Sequence, residues 1–134
     1  DMQGVAVLSF GSPIRQTYDR FFADQYGDWI RRRGDDLAPV TSAWFNAYRP
    51  GDYVGRAVLG DPLTDPGLLR PGPDPVLVAD EGGPVLAEYC LDSPGTHTGY
   101  WDDASIAALA EHLIERVAGA GAPVPTLMSS TPSA

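Results

Sequence analysis

The clearest pattern of apolar and polar positions lies late in the chain, where Ile106, Leu109, Ala110, Leu113, Ile114 and Val117 recur at the i, i+3, i+4, i+7 spacing of an amphipathic helix. Asp102 or Asp103 can cap its start and place negative charge at the positive end of the helix dipole, and Gly119, Gly121 and Pro123 end it. His112, between core positions on this helix, is expected to face solvent. Early in the chain, residues 4–10 (GVAVLSF) form a nearly continuous apolar run stopped by Gly11, the pattern of a strand covered on both faces in a parallel sheet. Ser12 and Pro13 then supply an N-cap hydroxyl and a first-turn proline. Tyr18, Phe21 and Phe22 fall at helical spacing within residues 14–26.

Between these ends the signals are weaker. Residues 28–37 carry Arg31, Arg32 and Arg33 and predict a short, solvated helix limited by Gly34 and Pro39. Residues 43–49 (AWFNAYR) are aromatic-rich and bounded by Pro50 and Gly51, a second strand. Five prolines in residues 60–75 predict a long surface loop. Residues 76–79 and 85–91 flank Asp80, Glu81, Gly82 and Gly83, the makings of a hairpin with its second strand the stronger. The expected fold is α/β, a partial parallel sheet of about three strands with flanking helices. It is organised as one domain over residues 1–122 and a frayed, Ser/Thr/Pro-rich tail over 123–134.

Composition narrows the function classes. The 134 residues carry 18 Asp plus Glu against 9 Lys plus Arg, a net charge of −9, which repels nucleic acid and anionic membrane surfaces. No run approaches the ~20 apolar residues that a membrane helix needs, and residues 1–4 lack the features of a signal peptide. A cytoplasmic location is the expectation. The single cysteine, Cys90, excludes an internal disulfide and reads as a small core hydrophobe. His97 and His112 with dispersed carboxylates give no ligand spacing, so neither a metal nor a cofactor is expected.

In an α/β sheet, functional groups sit past the C-terminal ends of the strands. Here Gly11-Ser12-Pro13 follows the first strand, Asp52 the second and His97 the third. A buried carboxylate accepting from one imidazole nitrogen fixes the tautomer and leaves the other nitrogen free as a general base. The turn Phe10-Gly11-Ser12-Pro13, the spacing of Asn46 and Asp52, and His97 ahead of the final helix together resemble the C-terminal half of an α/β-hydrolase of the lipase or esterase type. Phe21-Phe22, Trp44-x-Asn46-x-Tyr48-Arg49 and His97-x-x-Tyr100-Trp101 are also similar to predicted hydrolase domains of actinobacterial membrane-associated proteins. The resemblance covers residues 4–118. It implies a serine hydrolase in which His97 is the base and Asp52 its orienting acid, with a membrane-anchored parent as one form of the whole protein.

The departure from that family is specific. It requires Gly-x-Ser-x-Gly at the nucleophile, and none of Ser9, Ser12, Ser42, Ser93, Ser105, Ser129, Ser130 or Ser133 lies in such a motif. The expectation is a segment that carries acid and base, lacks the nucleophile, and is inactive alone. The abrupt entry into the first strand suggests a truncated chain whose strand edge pairs with a missing N-terminal segment or with a second copy. Each candidate also has a plain reading. Asp52 follows Pro50-Gly51 as an ordinary turn residue, Asp61, Asp65, Asp92 and Asp102 compete for the acid role, and Ser12 is explained by capping.

Overall fold

The computed structural model of the chain describes residues 5–15, 21–25, 42–78, 85–118 and 124–127. Its centre is a four-stranded sheet in the order β1-β2-β4-β3. Strands β1 (Ala6–Phe10), β2 (Ala43–Tyr48) and β4 (Val85–Cys90) run parallel, and the two-residue β3 (Val76–Leu77) lies antiparallel against β4. A mostly parallel sheet with helical segments is an α/β arrangement, and the fourth strand is the N-terminal arm of the hairpin read from residues 76–91. The expected helix around Arg31–Arg33, and residues 16–20 and 26 of the one expected over residues 14–26, lie outside the described residues.

The strands form where the apolar runs predicted them. β2 is buried along its whole length, because both faces are covered and Ala43, Phe45 and Ala47 alternate with Trp44, Asn46 and Tyr48. One face packs under α1 (Ala104–Ala118), where Phe45, Ala87 and Tyr89 meet Ile106, Leu109 and Leu113. Asp103 caps this helix through Ser105 N–H, which donates to Oδ1 at 2.9 Å. The opposite face buries Trp44, Val58, Leu59 and Leu86. Cys90 is buried beside Tyr48 and Leu68, and burial pushes its thiol up to about 11, so it acts as a small apolar filler.

Three features depart from the sequence expectations. The proline-rich stretch is not only surface: Asp65 caps a 3₁₀ turn over Pro66–Leu69, Leu68 is fully buried, and its carbonyl accepts the Tyr48 hydroxyl. His112 does not face open solvent. Its ring stacks at 6.1 Å on Phe45, because α1 turns this flank toward β2, and its buried Nε2 has no hydrogen-bond partner. The other flank of α1, Ile114 and Val117, is exposed instead, and the helix packs mainly against β1. Within the stretch expected to fray, Leu127 is buried, its N–H donates to the Pro73 carbonyl at 2.8 Å, and Tyr89 Oη donates to the Pro125 carbonyl at 2.8 Å.

Candidate active site

Parallel pairing in register aligns the C-terminal ends of β1, β2 and β4, with Phe10 opposite Ala47 and Tyr48 opposite Cys90. The loops that leave these ends therefore meet on one side of the sheet. They bring together the two residues singled out in the sequence: His97 Nδ1 stands 3.2 Å from both Asp52 Oδ1 and Oδ2. Asp52 is completely buried, whereas the His97 side chain is half exposed.

The buried carboxylate has a full set of donors. Val54 N–H and Gly55 N–H reach Oδ1 at 2.8 and 2.9 Å, and the Tyr100 hydroxyl donates to Oδ2 at 2.8 Å. Desolvation pushes the Asp52 carboxyl upward, but the Gly55, Tyr100, Val54 and His97 hydrogen bonds outweigh it and hold the group below the usual 3.8. Asp52 is thus an ionised acceptor at neutral pH. An acceptor at Nδ1 places the imidazole proton there and leaves the Nε2 lone pair available. Burial and the neighbouring Asp52 raise the Tyr100 phenol, so this hydroxyl keeps its proton and remains a donor.

Two glycines let the backbone close around this pair. Gly11 adopts φ +59, and a Cβ there would stand 3.1 Å from the Tyr100 ring and 3.4 Å from His97. At Gly55 a Cβ would fall 2.3 Å from Gly11 Cα and 2.6 Å from Asp52 Oδ2, and backbone cannot give way as a side chain can. The two turns touch directly, held by Arg56 N–H donating to the Ser12 carbonyl at 3.2 Å. The Ser12 hydroxyl accepts from Ile14 N–H at 3.4 Å, which is the capping role its sequence suggests.

The competing carboxylates are used elsewhere. Asp61 faces Arg15 at 3.9 Å, Asp65 caps the 3₁₀ turn, and Asp92 and Asp102 are exposed. Two participants escaped sequence reading. Tyr100 stands in the sequence only as part of His97-x-x-Tyr100-Trp101, three residues from the histidine, with nothing there to mark its hydroxyl as a partner of Asp52. Arg49 gave no signal beyond closing an aromatic strand, yet it is buried and grips the histidine loop, donating to the carbonyls of Thr96 (3.1 Å) and Thr98 (2.8 Å) and to Asp103 Oδ2 (2.7 Å). Its guanidinium stacks over the Tyr100 ring at 4.3 Å, and its backbone N–H donates to the Tyr100 hydroxyl at 3.1 Å.

Among the described residues no group of three or more His, Cys, Asp or Glu side chains is arranged to hold a metal ion, and no helix is long and apolar enough to cross a membrane. Comparison of the chain with protein-family models, with curated proteins and with solved structures returns no match.

Proposed function

We propose that this chain carries the acid–base half of a Ser-His-Asp acyl-transfer site, built on the C-terminal part of an α/β-hydrolase fold of the lipase or esterase type. The observation that carries the reading is the contact of half-exposed His97 with fully buried, donor-saturated Asp52 where the parallel strands end. In this site the Nε2 lone pair of His97 removes the proton from a serine hydroxyl as it attacks an ester carbonyl. The imidazolium then returns that proton to the leaving-group oxygen, and Asp52 stays ionised throughout. The serine is contributed by a segment outside these 134 residues, since no serine here lies in Gly-x-Ser-x-Gly.

The isolated chain is accordingly expected to show no turnover of a chromogenic short-chain ester. A polypeptide that joins this chain to a segment bearing the Gly-x-Ser-x-Gly serine is expected to turn it over and to lose at least ~10³-fold in kcat on His97→Ala. Esterase activity that survives His97→Ala, or activity of the isolated chain that disappears on Ser12→Ala, overturns the assignment.

A second reading, pairing through β1, is favoured by one specific observation. Among the described residues β1 pairs only with β2, so the backbone groups on its outer side form an edge, and α1, which packs against β1, carries the exposed apolar residues Ile114 and Val117. On this reading the isolated chain is a dimer by light scattering at micromolar concentration. A monomer that persists as concentration rises counts against it.

A further inference from the structure

Ser9, Asn46 and Glu88 stand opposite one another in register across β1, β2 and β4. They lie on the sheet face turned away from α1, and Asn46 and Glu88 are almost wholly buried. A row of hydrogen bonds runs through them in one direction. Trp44 Nε1–H donates to Ser9 Oγ at 2.8 Å, Ser9 Oγ donates to Asn46 Oδ1 at 2.8 Å, and Asn46 Nδ2 donates to Glu88 Oε2 at 2.8 Å. The direction is forced by chemistry, because an indole nitrogen can only donate and an ionised carboxylate can only accept. Glu88 Oε1 then receives three successive backbone N–H groups, from Val58 at 2.6 Å, from Leu59, and from Gly60 at 3.3 Å. The second amide proton of Asn46 goes to the Arg56 carbonyl at 3.0 Å.

We propose that Glu88, at the end of this one-way row, is the positioning residue of the Asp52 turn: with Asn46 it fixes residues 56–60 and so holds Gly55 N–H on the Asp52 carboxylate. The proposal rests on reading Asp52 and His97 as an acid–base pair, and it adds a residue which that reading does not use. Burial pushes the Glu88 carboxyl up to about 7, against the opposing pull of Asn46 and the three N–H groups. A proton on Oε2 would meet the Asn46 amide, and a proton on Oε1 would displace a backbone donor, so only the ionised form satisfies every partner. Residues 56–60 begin immediately after Gly55, whose N–H lies 2.9 Å from Asp52 Oδ1. Slack in this segment passes directly to the acid.

Glu88→Gln keeps the shape and sets a donor against the Asn46 donor. Relief requires Asn46 to turn over, which takes its proton from the Arg56 carbonyl and leaves the Ser9 hydroxyl without its acceptor. Asn46→Asp combined with Glu88→Gln restores an acceptor facing a donor at that contact and conserves the net charge, but leaves the Arg56 carbonyl without its donor. Native-state hydrogen exchange followed by NMR reads the consequence without needing turnover. Glu88→Gln is expected to lower protection of the Gly55 amide about tenfold more than that of the β2 amides, and the double variant, which regains the contact at residue 88 and not the one at Arg56, to recover part of the difference. Equal loss at Gly55 and in β2 would mean that Glu88 is only a general stabiliser, and unchanged protection at Gly55 or a double variant no better than the single overturns the proposal as well. Should the single variant fail to fold, a folded double variant with Gly55 protected supports the proposal, and its failure to fold overturns it. A result at Gly55 stands whether or not the longer polypeptide hydrolyses esters, so the two readings fail separately.

Discussion

Asp52→Asn is expected to move the His97 proton from Nδ1 to Nε2 while leaving the fold in place. The two backbone donors, Val54 N–H and Gly55 N–H, both point at Oδ1, so the oxygen of the replacing amide must take that side. Its NH₂ group then occupies the place of Oδ2, 3.2 Å from His97 Nδ1, and donates to that nitrogen. The imidazole keeps its proton on Nε2 and can no longer accept one from a serine. The change is nearly isosteric, and its stability cost is about 1 kcal/mol, because the Tyr100 hydroxyl loses its acceptor. Activity falls much further. A wrong-tautomer histidine costs about 10⁴-fold in kcat in Ser-His-Asp sites, and on the proposed reading a polypeptide that adds the serine to this chain is expected to lose a similar factor. Ring ¹⁵N shifts of the isolated chain at pH 8 check the first step, with Nδ1 protonated in the native chain and Nε2 protonated in the variant. An unchanged tautomer would show that Asp52 does not orient His97.

That prediction depends on a pair visible in the sequence as an order of residues, acid after the second strand and histidine after the third. Periodicity located β1, β2, β4 and α1 because each has a continuous or period-matched apolar signature. The same logic failed at His112, where a helix flank presumed wet turned out to be stacked on Phe45, since the lateral placement of α1 over β1 is not encoded in its own periodicity. Most of the polar interior was equally hidden. Asn46 was legible only as a spacing marker before Asp52, yet its side chain belongs to the Glu88 row, and that follows from the β2–β4 register, which places the two side by side. Arg49 meets partners 44 to 54 positions away. Such contacts are long-range consequences of topology, and no local propensity announces them.

Arg49→Met is expected to be the most destabilising single change in this region. Both side chains of the Arg49–Asp103 pair are about 95% buried, so removing the guanidinium leaves a buried carboxylate without its charged partner and takes a donor from the carbonyls of Thr96 and Thr98. Breaking a buried pair by removing one partner costs about 3–5 kcal/mol, a large share of the stability of a domain this size. The pH dependence has a definite sign. Burial pushes the Asp103 carboxyl up, but the Ser93 hydroxyl, the Arg49 guanidinium and the Ser105 N–H more than offset this and hold it below the usual 3.8. In the native chain its stabilisation is therefore complete above that value and is lost as pH falls through the lower folded one. In Arg49→Met two of the causes that lower the Asp103 carboxyl are gone while the Ser93 and Ser105 hydrogen bonds remain, so its folded value lies closer to the unfolded one and the variant loses less stability as pH falls. The gap between the two unfolding curves should be widest near neutrality and should narrow on acidification. Urea melts between pH 3 and pH 8 measure it, with Asp103→Asn on the Arg49→Met background recovering part of the loss by removing the stranded charge. A gap independent of pH would show that the arginine acts by packing alone. The same variant frees the carbonyls on either side of His97, so a broadened imidazole resonance in the folded fraction would identify Arg49 as the residue that holds the base in place.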